Sequence, residues 1–133
     1  MNGTSVKVYS LAKDGSKALS TNFKVKEFKC QDGSDVILIA PDLVTVLQKI
    51  RTHFGRPVKL NSAYRTPVHN KSVGGETFSQ HQYGTAADIV VTGVTPKKVA
   101  AYVETLMPNK GGIGIYKGFT HIDVRTKKAR WNG

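Results

Sequence analysis

The run Gly112-Ile113-Gly114-Ile115-Tyr116-Lys117-Gly118-Phe119-Thr120-His121-Ile122-Asp123-Val124 constrains the fold more than any other stretch of the chain. Two short segments of alternating character flank Lys117-Gly118, and that spacing predicts a β-hairpin with a two-residue turn. The turn would pair Tyr116 with Phe119, Gly114 with His121 and Gly112 with Asp123, and paired residues share a face. One face then carries Ile113, Ile115, Thr120, Ile122 and Val124 and belongs against a core. The other carries His121 and Asp123, each opposite a glycine. The missing side chains there are expected to leave room for a metal ion and a substrate backbone.

A histidine that shares a polar sheet face with a carboxylate needs partners if it is to hold a metal. The chain has four histidines, His53, His69, His81 and His121. His81 is followed seven residues later by Asp88, with Gly84 between them to turn the chain. Imidazole nitrogen and carboxylate oxygen are both good zinc ligands, and a zinc site takes at least three protein groups. His81, Asp88 and His121 are therefore the expected ligands of a Zn2+ ion. His53, near the end of a helix, reads as a surface or capping residue. His69 reads as a packing or hydrogen-bonding residue near the site. The single cysteine, Cys30, excludes an internal disulfide framework and reads as a small buried hydrophobe.

Ser79-Gln80-His81-Gln82-Tyr83-Gly84-Thr85-Ala86-Ala87-Asp88 resembles, in full, the Ser-x-His-x-x-Gly-x-Ala-x-Asp pattern of the zinc D-alanyl-D-alanine carboxypeptidase group, peptidase family M15. Ser62-Ala63-Tyr64-Arg65-Thr66 looks like that family's upstream arginine motif. Gly111 to Tyr116, running on to Arg125, looks like the closing hairpin of one subgroup. The resemblance covers roughly residues 22–131. It implies an α+β fold, a small antiparallel sheet with two main helices on one face, shared with hedgehog signalling domains. It also implies a zinc metallopeptidase acting on bacterial peptidoglycan, in which Arg65 is the catalytic cation and Ser79 contacts substrate.

The 133 residues fit one domain with one core. Residues 1–21 read as an N-terminal arm, either weakly structured or forming a short edge strand at Val6, Val8 and Leu11, and residues 22–133 as the zinc peptidase domain. Asn22 to Cys30 alternates around Phe23, Val25 and Phe28, and Val36 to Ala40 reads as a short strand. Leu43, Val44, Leu47, Ile50 and Phe54 recur at helical spacing after Pro41, and Gly55 ends that helix. Val58 to Ser62 and Thr85 to Val91 read as strands. Thr66-Pro67 and Thr95-Pro96 are N-caps followed by proline at the first helical position. The first opens a short helix to about Ser72. The second opens a longer one with the apolar stripe Val99, Ala100, Val103, Leu106 and Met107.

Lysine and arginine outnumber acids 20 to 9, for a net charge of +11. A basic surface attracts polyanions. The basic residues are scattered, with no basic helix carrying interleaved aromatics, so nucleic acid is not the expected partner. Anionic bacterial wall is, although scattered charge also simply solubilises. No apolar run reaches the roughly 18 residues of a membrane span, so no membrane insertion is expected, and a monomer is. The start lacks the apolar core of a signal peptide. Action at the cell wall would then need release by another route, as for a phage lysin, or a leader already removed.

Peptide hydrolysis also needs a proton acceptor. Several relatives place an acid three residues before the third ligand, where this chain has Gly118. Of the nine acids, Asp14, Asp32 and Asp42 read as surface, turn or helix-start residues. Glu27 and Asp35 are remote, Glu104 is on the second long helix, and Glu76 is near the site in a glycine loop. Asp123, on the His121 face, is the expected base, with the alternative that it only orients a ligand or Arg125. Arg125 is a second basic candidate for substrate binding. The missing acid keeps a second class open, a zinc-containing module without catalysis that binds wall or protein. A peptidase of this kind would be an endopeptidase cutting a cross-link or stem, or a carboxypeptidase trimming a terminal D-Ala.

Overall fold

The computed structural model describes residues 5–133. Strand β1 (Lys7–Ser10) leads into a single helical turn, α1 (Leu11–Asp14), and pairs antiparallel with β2 (Val36–Ile39) in a two-stranded sheet. Of the residues expected in an edge strand, Val8 lies in β1, Val6 precedes it and Leu11 opens α1, while residues 1–4 of the arm lie outside the described residues. The arm is tied to the body by backbone hydrogen bonds, Leu19 N–H to the Phe23 carbonyl at 2.8 Å and Val25 N–H to the Lys17 carbonyl at 3.0 Å.

Between them, Val25–Phe28 is a 3-10 turn rather than the extended segment that the alternation predicts. The spacing of three between Val25 and Phe28 suits a turn, and the Glu27 carboxylate accepts from the Lys24 amide at 2.7 Å, closing it. Phe23, Val25 and Phe28 are all buried, so the apolar pattern served the core by a different local geometry.

The main sheet has the order β3-β4-β6-β5-β7, built from β3 (Val58–Ser62), β4 (Ala86–Val91), β5 (Gly112–Ile115), β6 (Thr120–Asp123) and β7 (Ala129–Asn132). Four strands are antiparallel to their neighbours, and β7 adds a parallel edge to β5. The expected all-antiparallel sheet therefore gains a strand that alternation in Ala-Arg-Trp-Asn was too short to reveal. Two helices, α2 (Pro41–Phe54) and α4 (Pro96–Leu106), cover one face. Their buried residues, Leu43, Leu47 and Ile50 of α2 and Val99 and Val103 of α4, meet Ala87, Ile89, Ile113 and Ile122 of the sheet in one core. Full burial of each such aliphatic side chain stabilises the fold by about 1.5–3 kcal/mol. His53 stacks on Tyr102 at 3.7 Å between ring centroids, which ties α2 to α4 at the surface and accounts for that histidine. Among the described residues, no helix is long and apolar enough to cross a membrane.

The short helix α3 (Pro67–Ser72) and a second 3-10 turn, Gln80–Tyr83, lie towards the other face. Gly84 ends that turn in the left-handed region, φ 73°, and a side chain there would strike the Leu38 carbonyl. Only glycine can both turn the chain and let it pass so close to β2.

The hairpin register is the expected one: Gly114 opposite His121 and Gly112 opposite Asp123. The space left by the glycines is used differently from the expectation. The Asp123 carboxylate fills it at Gly112, and the Trp131 indole fills it at Gly114, where a Cβ would fall 2.5 Å from Trp131 Nε1. Gly112→Ala should consequently be costly, because the fully buried Asp123 carboxylate has nowhere to move. Overpacking of this kind costs about 1–3 kcal/mol. Gly118→Ala, with open space around it, should stay within about 0.5 kcal/mol of wild type. Denaturant midpoints compare the two, and equal midpoints would contradict this packing.

Candidate active site

Strand pairing places one row of residues across the whole main sheet. Ser62 stands beside Asp88, Asp88 beside His121, His121 beside Gly114, and Gly114 beside Trp131. His81 joins this row from the 3-10 turn, which the Ser79 hydroxyl caps by accepting from the His81 amide at 3.2 Å. Sequence-distant residues 81, 88 and 121 are thereby brought together, and all three are buried.

Hydrogen bonds fix which ring nitrogens face one another. His81 Nδ1 is 2.7 Å from the Ala63 carbonyl, so it carries the proton and leaves Nε2 as the acceptor, 3.3 Å from Asp88 Oδ2. His121 Nε2 lies 2.8 Å from Asp123 Oδ2, which leaves Nδ1 facing Asp88 Oδ1 at 2.9 Å. The three donor atoms lie within 4.8 Å of one another. Two imidazoles with their outer nitrogens held by oxygen acceptors, and one carboxylate between them, are a donor set that fits a metal ion.

The charge balance of the cluster agrees. Burial alone would raise the Asp88 pKa, but the hydrogen bond from His121 and the two neighbouring imidazoles outweigh it and hold the carboxyl well below the usual range. Burial alone would lower the His121 pKa. The hydrogen bonds to Asp123 and Asp88 and their charges outweigh that too, so its pKa is raised. Without a metal, His121 thus favours the imidazolium, with a proton on Nδ1 in the place an ion would take. Binding an ion must displace that proton. Below the raised His121 pKa, metal affinity should therefore fall about tenfold per pH unit, one proton released per ion. Asp88 and Asp123, already ionised, add nothing to this slope. Calorimetric titration in buffers of different ionisation enthalpy counts the proton, and an affinity that does not change with pH would contradict this arrangement.

Asp123, the base expected from sequence, is not open to the cleft. Its side chain has no exposed surface. One oxygen accepts from the Gly112 amide at 2.9 Å, and from the Arg125 amide and Nε at 3.2 and 2.8 Å. The other accepts from Arg125 Nη2 at 2.7 Å and His121 at 2.8 Å. Burial raises its pKa, yet the bonds from His121 and Arg125 prevail and keep it ionised. A carboxylate so fully engaged orients its partners and has no free lone pair for a reacting proton. The period-2 pattern put Asp123 on the correct face; it could not say that Gly112 lets the carboxylate fold inwards.

Arg65 sits beside the cluster. Its guanidinium donates to Ser62 Oγ and Asn70 Oδ1, each at 3.2 Å, and Nη2 lies 3.8 Å from Asp88 Oδ2. The Arg65 amide donates to the His81 carbonyl at 3.0 Å, so the arginine and the first histidine hold each other's backbone in place. Arg125 is committed to Asp123 and lies over the Trp131 ring at 5.5 Å.

A cleft of about 500 Å³ opens over the cluster. Arg65, Ser79, His81, Asp88, His121 and Arg125 all line it, together with Glu76, Phe78, Tyr116, Phe119 and Trp131. Ser79 therefore borders the cleft while its hydroxyl caps the turn. Glu76 and Asp88 are the acids among these lining residues. The aromatic wall was not legible in the sequence. Trp131, 5.1 Å from the His121 ring and donating to Tyr116 Oη at 2.9 Å, arrives on the parallel strand β7. His69, expected near this site, does not line it.

No individual curated protein matches the chain. The sequence profile of a family described as peptidase M15 matches residues 19–123, from just before the first 3-10 turn to the end of β6. That span contains Arg65, Ser79, His81, Asp88 and His121, which line the cleft, and Asp123 beneath them. The chain belongs to the peptidase M15 family.

Proposed function

We propose that the protein is a zinc-dependent peptidase that hydrolyses peptide bonds of bacterial peptidoglycan. The observation that carries the reading is the buried His81–Asp88–His121 group on the floor of an open cleft, with Arg65 beside it, in an M15 peptidase. His81 Nε2, an Asp88 oxygen and His121 Nδ1 would hold the ion. Borderline-soft zinc suits such a mixed nitrogen and oxygen set. When bound there, zinc supplies a Lewis acid for the scissile carbonyl and lowers the pKa of an attacking water.

The remaining chemistry falls to the side chains. Asp123 holds the His121 ring in the tautomer that presents Nδ1, and Gly112 and Arg125 hold Asp123. Glu76 is the cleft acid left to accept the proton of the attacking water and return it to the leaving amine. Arg125 lines the same cleft and brings positive charge to it. Arg65 offers a planar donor pair to a substrate carbonyl or carboxylate. Its protein partners are mostly neutral, and an ion on Asp88 would offset the one acid close to it. The net charge of +11 favours the anionic wall as the place of action.

The test is the release of free amino groups from purified peptidoglycan by zinc-loaded protein, with and without chelator. Chelator-sensitive release supports hydrolysis. Binding to the wall without release would favour a non-catalytic zinc module on the same fold.

A further inference from the structure

A second set of metal-binding donors lies away from the cleft. Cys30 Sγ, a carboxylate oxygen of Asp32 and a ring nitrogen of His69 are all within 4.8 Å of one another, and none of the three residues lines the cleft. We propose that Cys30, Asp32 and His69 form a second site for a zinc-class divalent cation. The ion would fasten the turn after the first 3-10 segment to α3.

Bond lengths of roughly 2.0–2.3 Å around a tetrahedral ion place its ligand atoms about 3–4 Å apart. Pairs at the outer limit of that range need to close by about 1–2 Å. Cys30 is fully buried and Asp32 is held by its own hydrogen bonds, so the half-buried His69 ring makes most of the adjustment. Among the described residues no group hydrogen-bonds the His69 ring, so turning it breaks nothing.

Polar groups surround both the sulfur and the carboxylate. The Thr66 amide lies 3.5 Å from Cys30 Sγ, placed to donate to the sulfur. The Thr66 hydroxyl donates to Asp32 Oδ2 at 3.0 Å, and the Ser34 amide to Asp32 Oδ1 at 2.9 Å. These bonds fix the carboxylate as outer groups around a metal do. A sulfur ligand selects zinc, cobalt or cadmium over magnesium or calcium. Three protein ligands leave a fourth position for water.

The consequence reaches the cleft through one peptide bond. Asn70 follows His69, accepts from Arg65 Nη1 and donates to the Glu76 carbonyl at 2.7 Å. An ion on His69 would brace the helix that holds both.

Cobalt(II) titration of the full chain tests this directly. Cys30 is the chain's one cysteine, so a near-ultraviolet sulfur-to-cobalt charge-transfer band can arise from no other residue. The band should appear, saturate, and vanish in Cys30→Ser. Cys30 is core, and that variant can fail to fold, so His69→Ala and Asp32→Asn provide the second arm. Each removes a ligand from a side chain with exposed surface. Each should weaken the band's cobalt affinity by more than the roughly 10–100-fold that loss of an outer group costs. No sulfur band at excess cobalt would overturn the proposal. So would a band whose affinity is unchanged in both His69→Ala and Asp32→Asn.

Discussion

A His121→Ala protein is expected to purify without tightly bound metal at the cleft and to lose hydrolysis by more than the roughly 10²–10⁴ that a single acid–base group is worth. His121 is the middle of the row that crosses the sheet. It offers Nδ1 towards Asp88 and gives its other proton to Asp123. Its loss leaves His81 and Asp88 as a two-ligand remnant, below the three protein groups that a zinc site takes. The fold should survive, because Asp123 keeps its bonds to Gly112 and Arg125. The contrast with Asp123→Asn is informative. That variant keeps all three ligands and loses only the group that orients one of them. Metal affinity should weaken by about 10–100-fold, and excess zinc should restore most of the rate. Metal content by elemental analysis, beside rates at several zinc concentrations, separates the two. Full metal content in His121→Ala would remove it from the site. A rate in Asp123→Asn that excess zinc cannot restore would return Asp123 to a direct role in proton transfer.

Glu76→Gln is expected to lower turnover by about 10²–10⁴ while zinc stays bound. Glutamine keeps the size of the side chain but cannot accept the proton. The ligands are untouched, and the backbone carbonyl of residue 76 keeps its bonds from Asn70 and Ser79. KM should change little, because the interaction is made in the transition state. Near-normal turnover in a zinc-loaded Glu76→Gln protein would mean that the proton acceptor is not on this chain's cleft wall.

Much of this site was legible because its signals are local. Period-2 alternation and the Lys117-Gly118 turn fix the register of β5 and β6, and with it the face shared by His121 and Asp123. The Thr66-Pro67 and Thr95-Pro96 starts are realised as capped helices, each threonine hydroxyl accepting an amide at 3.2 Å. What escaped depends on long-range contacts. Strand β7 is held by Arg130, which donates to Glu104, to the Met107 and Lys110 carbonyls and to the Gly111 carbonyl. No pattern in Ala129–Asn132 announces such anchoring 20 or so residues away. Trp131 therefore reached the cleft unseen, and so did the loss of free space opposite His121. The depth of Asp123 was hidden for a related reason. Sequence fixes the face of a strand residue, but its burial depends on what the neighbouring strand leaves empty. Glu76 was placed near the site from sequence, but that it lines the cleft wall shows only once α3 and the second 3-10 turn are in place.

As proposed, this cleft would cut peptide bonds in the bacterial wall with a metal held by His81, Asp88 and His121. Mass spectrometry of the fragments that zinc-loaded protein releases from purified peptidoglycan tests it most directly. The account predicts fragments with new peptide amino and carboxyl termini and an uncut glycan, absent with chelator and absent with His121→Ala. Fragments that carry only new sugar ends, or peptide cleavage that persists in His121→Ala, would contradict it.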